Sequence, residues 1–349
     1  MKYQFCIQFK NTIVNSAATK AVLDANAIFS KNGYQDFTLT VVDNADGLKY
    51  YKLLLKELML FLFAVKKGSV IGIQYPLLSI NKVFKYFINT AKLKGIRFYC
   101  VVHDLESLRT GGKDKALIDK EISYLNHYDG IIAHNPHMIN WLQEMGLNNK
   151  IISLKLFDYL CDDFTIQEER SFSQKIVFAG NLNKSSFIYS LGTVKKWKFN
   201  VYGPYFNQDR AEGQHNLYWR GEYSPEEIVR KLNGCFGLIW DGDSINKCDE
   251  VLGNYLNYNN PHKFSLYIAA GLPVIAPASA AIASFIQEHQ IGLLVNNLYD
   301  LDSLQINEQD YSRMRSNVMH IRSKVISGYY LTTAIRNVET LLTHKKEQP

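Results

Sequence analysis

Short apolar runs alternate with segments of helical periodicity along nearly the whole chain, and the alternation is played out twice. The first pass predicts strands at 5–8, 37–42, 70–74, 97–102, 130–133 and 151–155, with helices at 17–31, 48–66, 82–93, 115–124 and 136–145. The second predicts strands at 175–179, 197–202, 217–220, 236–239, 274–276 and 292–294, with helices including 225–232 and 261–270. Strand–helix–strand order of this kind builds parallel sheets, because a parallel neighbour can be reached only through a crossover. Between the passes, Leu160-Cys161-Asp162-Asp163-Phe164 and the polar stretch 167–174 break the rhythm. The expected fold is therefore α/β, with two doubly wound, Rossmann-like domains facing each other across a cleft. Domain limits fall at 1–160 and 161–328, and ligands are expected beyond the carboxyl ends of the strands.

Bulk properties narrow the class of function. A chain of 349 residues accommodates two domains of ordinary size. The net charge of +6 suits a phosphorylated ligand or an anionic membrane surface. The basic residues are scattered and form no long run, so nucleic acid is not an expected partner. Five cysteines, Cys6, Cys100, Cys161, Cys235 and Cys248, make no C-x-x-C pair and suggest neither a disulfide framework nor a zinc site. With no exported leader at the start and an apolar stretch of only 58–65, the expected location is the cytoplasm. The segment 48–67 is helical and lysine-flanked. A core helix is the first reading of it, with a subunit contact or a peripheral membrane face as the sharper alternative.

The segment richest in chemistry runs from Tyr258 through Asn260-Pro261-His262-Lys263 to Gly271-Leu272-Pro273-Val274-Ile275. Asn260 is a candidate helix cap and Pro261 a candidate first residue. A helix start carries free N–H groups and partial positive charge, which suit a phosphate. Lys263 adds a full charge in the first turn, unfavourable unless an anion offsets it. The pattern predicts a bound diphosphate; a lysine snorkelling over the helix start is the plainer alternative.

The run N-P-H-K-x-S-L-Y-x-A-x-G-x-P-V-I at 260–275 resembles the donor-site helix of bacterial GT-B glycosyltransferases, of the kind similar to β-1,6-galactofuranosyltransferases and the streptococcal adhesin glucosyltransferase 3 family. Val102-His103-Asp104-Leu105-Glu106-Ser107-Leu108-Arg109, Ala133-His134-Asn135-Pro136-His137-Met138 and the stretch 178–187 resemble the same family, as do Val201-Tyr202-Gly203 and the stretch 237–242. The resemblance implies that the second domain holds a UDP-sugar. Gly180, Asn181, Lys184, Ser186, Tyr202 and Gly203 would line the nucleoside and phosphate pocket. Lys263, Ser265 and the amide of Leu266 would hold the diphosphate. Many retaining GT-B enzymes carry a glutamate where this chain has Leu266, so the resemblance implies inversion. The last helix, 329–349, would pack back on the first domain.

Inversion needs a base for the acceptor hydroxyl. Asp104 is the first candidate, in the loop after the strand ending at Val102, with His103 and Glu106 as neighbours that could act instead. His103-Asp104 could equally do no more than organise its loop. Arg109 is a candidate for phosphate or an anionic acceptor, and Asn15 and Ser16 for a loop reaching across the cleft; Ser16 is also a plain helix cap. Asp241-Gly242-Asp243 has the D-x-D form of a metal–nucleotide site, but it is also a common turn sequence. Asp241 is kept as a cleft residue; no metal and no cofactor beyond the sugar nucleotide is expected. The expected acceptor is a saccharide, carried on a polyprenyl diphosphate or already attached to protein. A GT-B nucleotide-sugar epimerase, or a non-catalytic nucleotide-sugar-binding subunit, fits the same motifs.

Overall fold

A computed structural model describes residues 1–9, 17–41, 47–77, 80–162 and 171–343. Asn15 and Ser16 lie outside the described residues.

The first sheet contains β1 (Lys2–Phe9), β2 (Gln35–Val41), β3 (Val70–Tyr75), β4 (Arg97–Val102), β5 (Gly130–Ala133) and β6 (Lys150–Ser153). Its order is β2-β1-β3-β4-β5-β6, and every pairing is parallel. The second sheet contains β7 (Lys175–Ala179), β8 (Lys198–Tyr202), β9 (Leu217–Trp219), β10 (Phe236–Leu238), β11 (Val274–Pro277) and β12 (Gly292–Val295). Its order, β12-β11-β10-β7-β8-β9, is also parallel throughout. In each sheet the order reverses once, between β1 and β3 and between β7 and β10, and those reversals open the crevices where ligands bind.

Strands buried on both faces read as continuous apolar runs, and Ile176, Val177, Phe178 and Ala179 of β7 are all buried. Around the first sheet stand α1 (Ala17–Lys31), α2 (Gly47–Ala64), α3 (Asn81–Lys92), α4 (Glu106–Arg109), α5 (Lys115–Leu125) and α6 (Pro136–Glu144). Around the second stand α7 (Pro225–Lys231), α8 (Val251–Tyr255), α9 (His262–Ala269), α10 (Ala283–His289) and α11 (Glu308–Ser327). The final helix, α12 (Tyr329–Thr343), packs on β5, β6 and α1 of the first sheet.

The crossing from α11 to α12 is built from two devices. Gly328 takes φ +85°, and a Cβ there would stand 2.7 Å from Ile28 Cγ1, so only glycine fits. Asp158 then accepts from the amides of Tyr330 at 3.1 Å and Leu331 at 2.7 Å, supplying partners to two orphan N–H groups at the start of α12. Sequence periodicity did not single out α11. Its buried stripe contains Arg315 and Arg322, whose charges break the apolar pattern; Arg322 Nε donates to Ala269 O of α9 at 2.8 Å.

One local expectation is corrected. Asn260 does not cap α9: the helix begins at His262, and Pro261 occupies the cap position with extended backbone and no side-chain cap bond. Asn260 is instead buried between the two halves. Its Nδ2 donates to His134 O and Lys155 O, and its Oδ1 accepts from Asn135 Nδ2.

Candidate active site

The carboxyl ends of the two sheets face each other, and the loops after β4, β7, β8 and β10 meet there with the start of α9. In the second half, Gly180 follows β7 and Gly203 follows β8. A Cβ on Gly203, whose φ is +135°, would stand 1.9 Å from Gly180 O. The two loops are thus in backbone contact, and the glycine is required by that contact rather than by a turn alone. Asn181 caps a short turn by accepting from the Asn183 amide at 3.1 Å, leaving Asn181 and Lys184 exposed at the rim with Ser186 partly so.

At the switch point between β7 and β10, Lys263 lies with its Nζ 2.6 Å from Asp241 Oδ1 and 3.3 Å from Trp240 O. The ammonium also sits 4.8 Å from the centre of the Phe178 ring. An anion does offset the charge in the first turn of α9, as electrostatics demands, but it is Asp241 of the chain itself. Lys263 is therefore held at the second crevice by an ion pair within the chain. Asp243 points elsewhere in this arrangement: its carboxyl bonds with Glu250, whose own pKa is raised by that bond. Among the described residues no group of three or more His, Cys, Asp and Glu side chains is placed to hold a metal ion.

Three other residues expected at the donor are committed to the fold. Ser265 is fully buried and donates to Phe157 O at 2.7 Å, tying α9 to the segment between the sheets. Tyr202 is buried, with its hydroxyl between Lys231 O at 3.1 Å and the Asn233 amide at 3.0 Å. Leu266 is the fifth residue of α9, past the four amides that a helix start leaves free, and its side chain is buried. None of the three offers a polar group to a ligand.

The first half contributes the loop after β4. Asp104 Oδ1 accepts from Tyr255 Oη of α8 at 3.1 Å, and the same phenol oxygen accepts from the Leu105 amide at 3.3 Å. Arg109 Nη1 lies 3.7 Å from Asp104 Oδ2 and 3.4 Å from Glu106 Oε2, so Arg109 is engaged by both carboxylates. Burial raises the Asp104 pKa, and the nearby Arg109 and the Tyr255 bond only partly oppose that rise. Glu106 is exposed on the outside of α4.

His103 stacks on Phe157, with ring centres 5.6 Å apart. Its Nε2 is 2.7 Å from Gln74 Oε1, and Gln74 spends its amide donors on Asn26 and Val22. His103 Nε2 therefore carries the hydrogen, and Nδ1 the lone pair. Burial lowers its pKa to about 4, so the ring is neutral and weakly basic. His134 is likewise neutral, lowered to about 3 by burial, and its Nδ1 accepts from the Asn260 amide at 3.0 Å.

Two functional supports escaped the sequence. Tyr255 has no motif around it, and its approach to Asp104 exists only once the two halves meet. Glu121 of α5 reads as a surface carboxylate, yet it is buried and accepts from the amides of Glu106 at 3.0 Å and Ser107 at 3.1 Å and from Ser107 Oγ. It holds the start of α4 and so shapes the loop bearing Asp104.

Two parallel doubly wound sheets in succession, with Lys263 and Asp241 paired at the switch point of the second, are the architecture of a GT-B glycosyltransferase. The chain belongs to the glucosyltransferase 3-like family: the N-terminal domain description matches residues 6–156 and the C-terminal domain description residues 176–338. It is similar to the β-1,6-galactofuranosyltransferase WbbI of Escherichia coli K12, with 32% identity over 81% of this chain and 82% of that protein. Glucosyltransferase 3 of Streptococcus parasanguinis is 25% identical over 76% of this chain and 77% of its own length. A trehalose-6-phosphate synthase studied for glycosyl transfer with retention shares the fold, at TM-score 0.54 and 12% identity, over 97% of this chain and 93% of that one.

Proposed function

We propose that the chain transfers a sugar from a UDP-sugar to a saccharide acceptor with inversion and without a metal ion. Galactofuranose and glucose are the leading donor sugars, the two that the relatives' names contain. The observation that carries the reading is the contact of Asp104 with Tyr255 Oη across the crevice, which sets a carboxylate raised in pKa by burial against the half that holds the Lys263–Asp241 pair.

Asp104 takes the proton of the acceptor hydroxyl as its oxygen attacks the anomeric carbon from the face opposite the diphosphate. The bond from that carbon to the diphosphate oxygen breaks, and UDP leaves with the electron pair. Lys263 exchanges Asp241 for the diphosphate and meets the charge that develops there, together with the start of α9. Gly180 lets the nucleotide approach backbone, and Gly203 lets its own loop pack against Gly180. Asp104 is favoured over His103 because burial makes the carboxylate a stronger base and the imidazole a weaker one. Arg109 bridges Asp104 and Glu106 and lowers the pKa that burial raises at Asp104. The acceptor is a saccharide on a polyprenyl diphosphate carrier, as in surface polysaccharide assembly, or one already attached to protein.

The test is incubation with UDP-galactofuranose and UDP-glucose, with and without a saccharide acceptor, followed by NMR of the new linkage. A glycoside of opposite anomeric configuration, formed equally in EDTA, is the expected result. A retained configuration overturns inversion. Sugar released or converted without acceptor identifies an epimerase, and UDP binding without any turnover identifies a binding subunit.

A further inference from the structure

Helix α2 has two apolar faces where the fold needs one. Leu54, Leu58 and Phe61 form the inward stripe, 1–3% exposed, and Phe61 packs on Phe5 and Phe37 of β1 and β2. An amphipathic helix would turn polar residues outward from there. Instead Tyr51, Leu53, Leu55, Met59, Leu60 and Phe63 stand outward at 41–77% exposure. They cover about 18 Å of helix at the usual rise. Leu93, 89% exposed, extends the patch at the end of α3, where the adjacent Lys94 donates to Leu62 O and Val65 O at the end of α2. A contiguous patch of this kind on one helix marks a surface that something covers.

We propose that this face is a membrane-docking surface, seated in the headgroup region of a bilayer rich in anionic lipid. Charge decides the occupant. Lys52 and Lys56 are exposed within the patch and Lys66 and Lys67 just beyond it, against Glu57 as the one acid between 51 and 67. A second copy applied through a twofold contact would set these lysines against their own kind. Anionic headgroups neutralise them, each lysine strengthening attachment roughly five-fold. No described helix is long and apolar enough to cross a membrane, so α2 lies in the interface plane. Its place in the fold allows that. α2 packs on β2, the edge strand at the far end of the sheet from β6, and on α3. The described hydrogen bonds between the two halves arise from the loops after β4 and β5 and from the segment after β6, none from α2. The proposal goes beyond the reaction and is independent of donor, base and stereochemistry.

The experiment is co-sedimentation of the full chain with vesicles of phosphatidylcholine alone and of phosphatidylcholine mixed with phosphatidylglycerol. Leu60→Ser/Phe63→Ser and Lys52→Gln/Lys56→Gln are run beside it, with thermal melts and UDP affinity as checks that fold and crevice are intact. We expect binding to the anionic vesicles at least ten-fold stronger than to the neutral ones, falling with salt. It should be lost in the serine variant and weakened more than ten-fold in the glutamine variant, with UDP affinity unchanged. Absence of vesicle binding, or equal binding by the serine variant, overturns the proposal. So does a dimeric mass by light scattering that the serine variant reduces to a monomer, which would make a second copy the occupant.

Discussion

The phenol of Tyr255 lies 3.1 Å from Asp104 Oδ1 and joins a helix of the second sheet to the loop after β4 of the first. Through this contact the proton affinity of the carboxylate is adjusted from the other half of the chain. Burial raises the Asp104 pKa, while Arg109 and the Tyr255 bond lower it by less.

Asp104→Asn should leave UDP affinity within about two-fold and reduce turnover by roughly 10²–10⁴-fold, the usual contribution of a positioned base. Calorimetry and initial rates together check this; unchanged turnover removes Asp104 from the role.

Tyr255→Phe should shift the pH–rate profile rather than abolish activity. The base must be ionised to act, so activity falls as pH drops through its pKa. The phenol stabilises the ionised form, and its loss raises that pKa further. The acidic limb of kcat/KM therefore moves to higher pH, and Arg109→Ala, which removes the larger opposing charge, moves it further the same way.

Gly203→Ala should destabilise the second half and weaken UDP binding, because the added Cβ meets Gly180 O at 1.9 Å. Strain at that φ and overpacking each cost about 1–3 kcal/mol, which corresponds to a Tm lower by several degrees. Gly213→Ala, at φ +79° with nothing within 4 Å of its Cβ, isolates the backbone strain and should cost less.

Asp158 gives the stability a pH dependence. Burial pushes its pKa up from 3.8 to about 7, so the folded chain binds this proton more tightly than the unfolded one. Its stabilising contribution is full below about pH 4 and declines as pH rises toward 7, by a few kcal/mol in total. Denaturant melts across that window should show the decline from this site, and Asp158→Asn should flatten it.

The sequence was most legible where physics is local. Each of the twelve strands read from apolar runs is present, because parallel strands covered on both faces keep a largely apolar run even where a buried Asn200 interrupts β8. The site was legible only as a set of loops. Lys263 and Asp241 both lie at the crevice, but their 2.6 Å pairing is a contact between the loop after β10 and α9 that no spacing in the chain encodes. Ser265, Tyr202 and Asn260 have residue types suited to a ligand, and only tertiary structure shows their polar groups spent on Phe157, Lys231, Asn233, His134 and Lys155. Ser265→Ala accordingly tests the difference. It should lower stability by about 1–3 kcal/mol, leaving a buried carbonyl without its donor, while UDP affinity stays within about three-fold.

The most direct test of the donor site is calorimetric titration of the protein with UDP, with and without EDTA, beside Lys263→Ala. Binding that ignores EDTA and weakens at least ten-fold in the variant is the predicted result. Binding that requires a divalent ion, or that survives loss of Lys263, would contradict the account and shift the site toward Asp241 and Asp243.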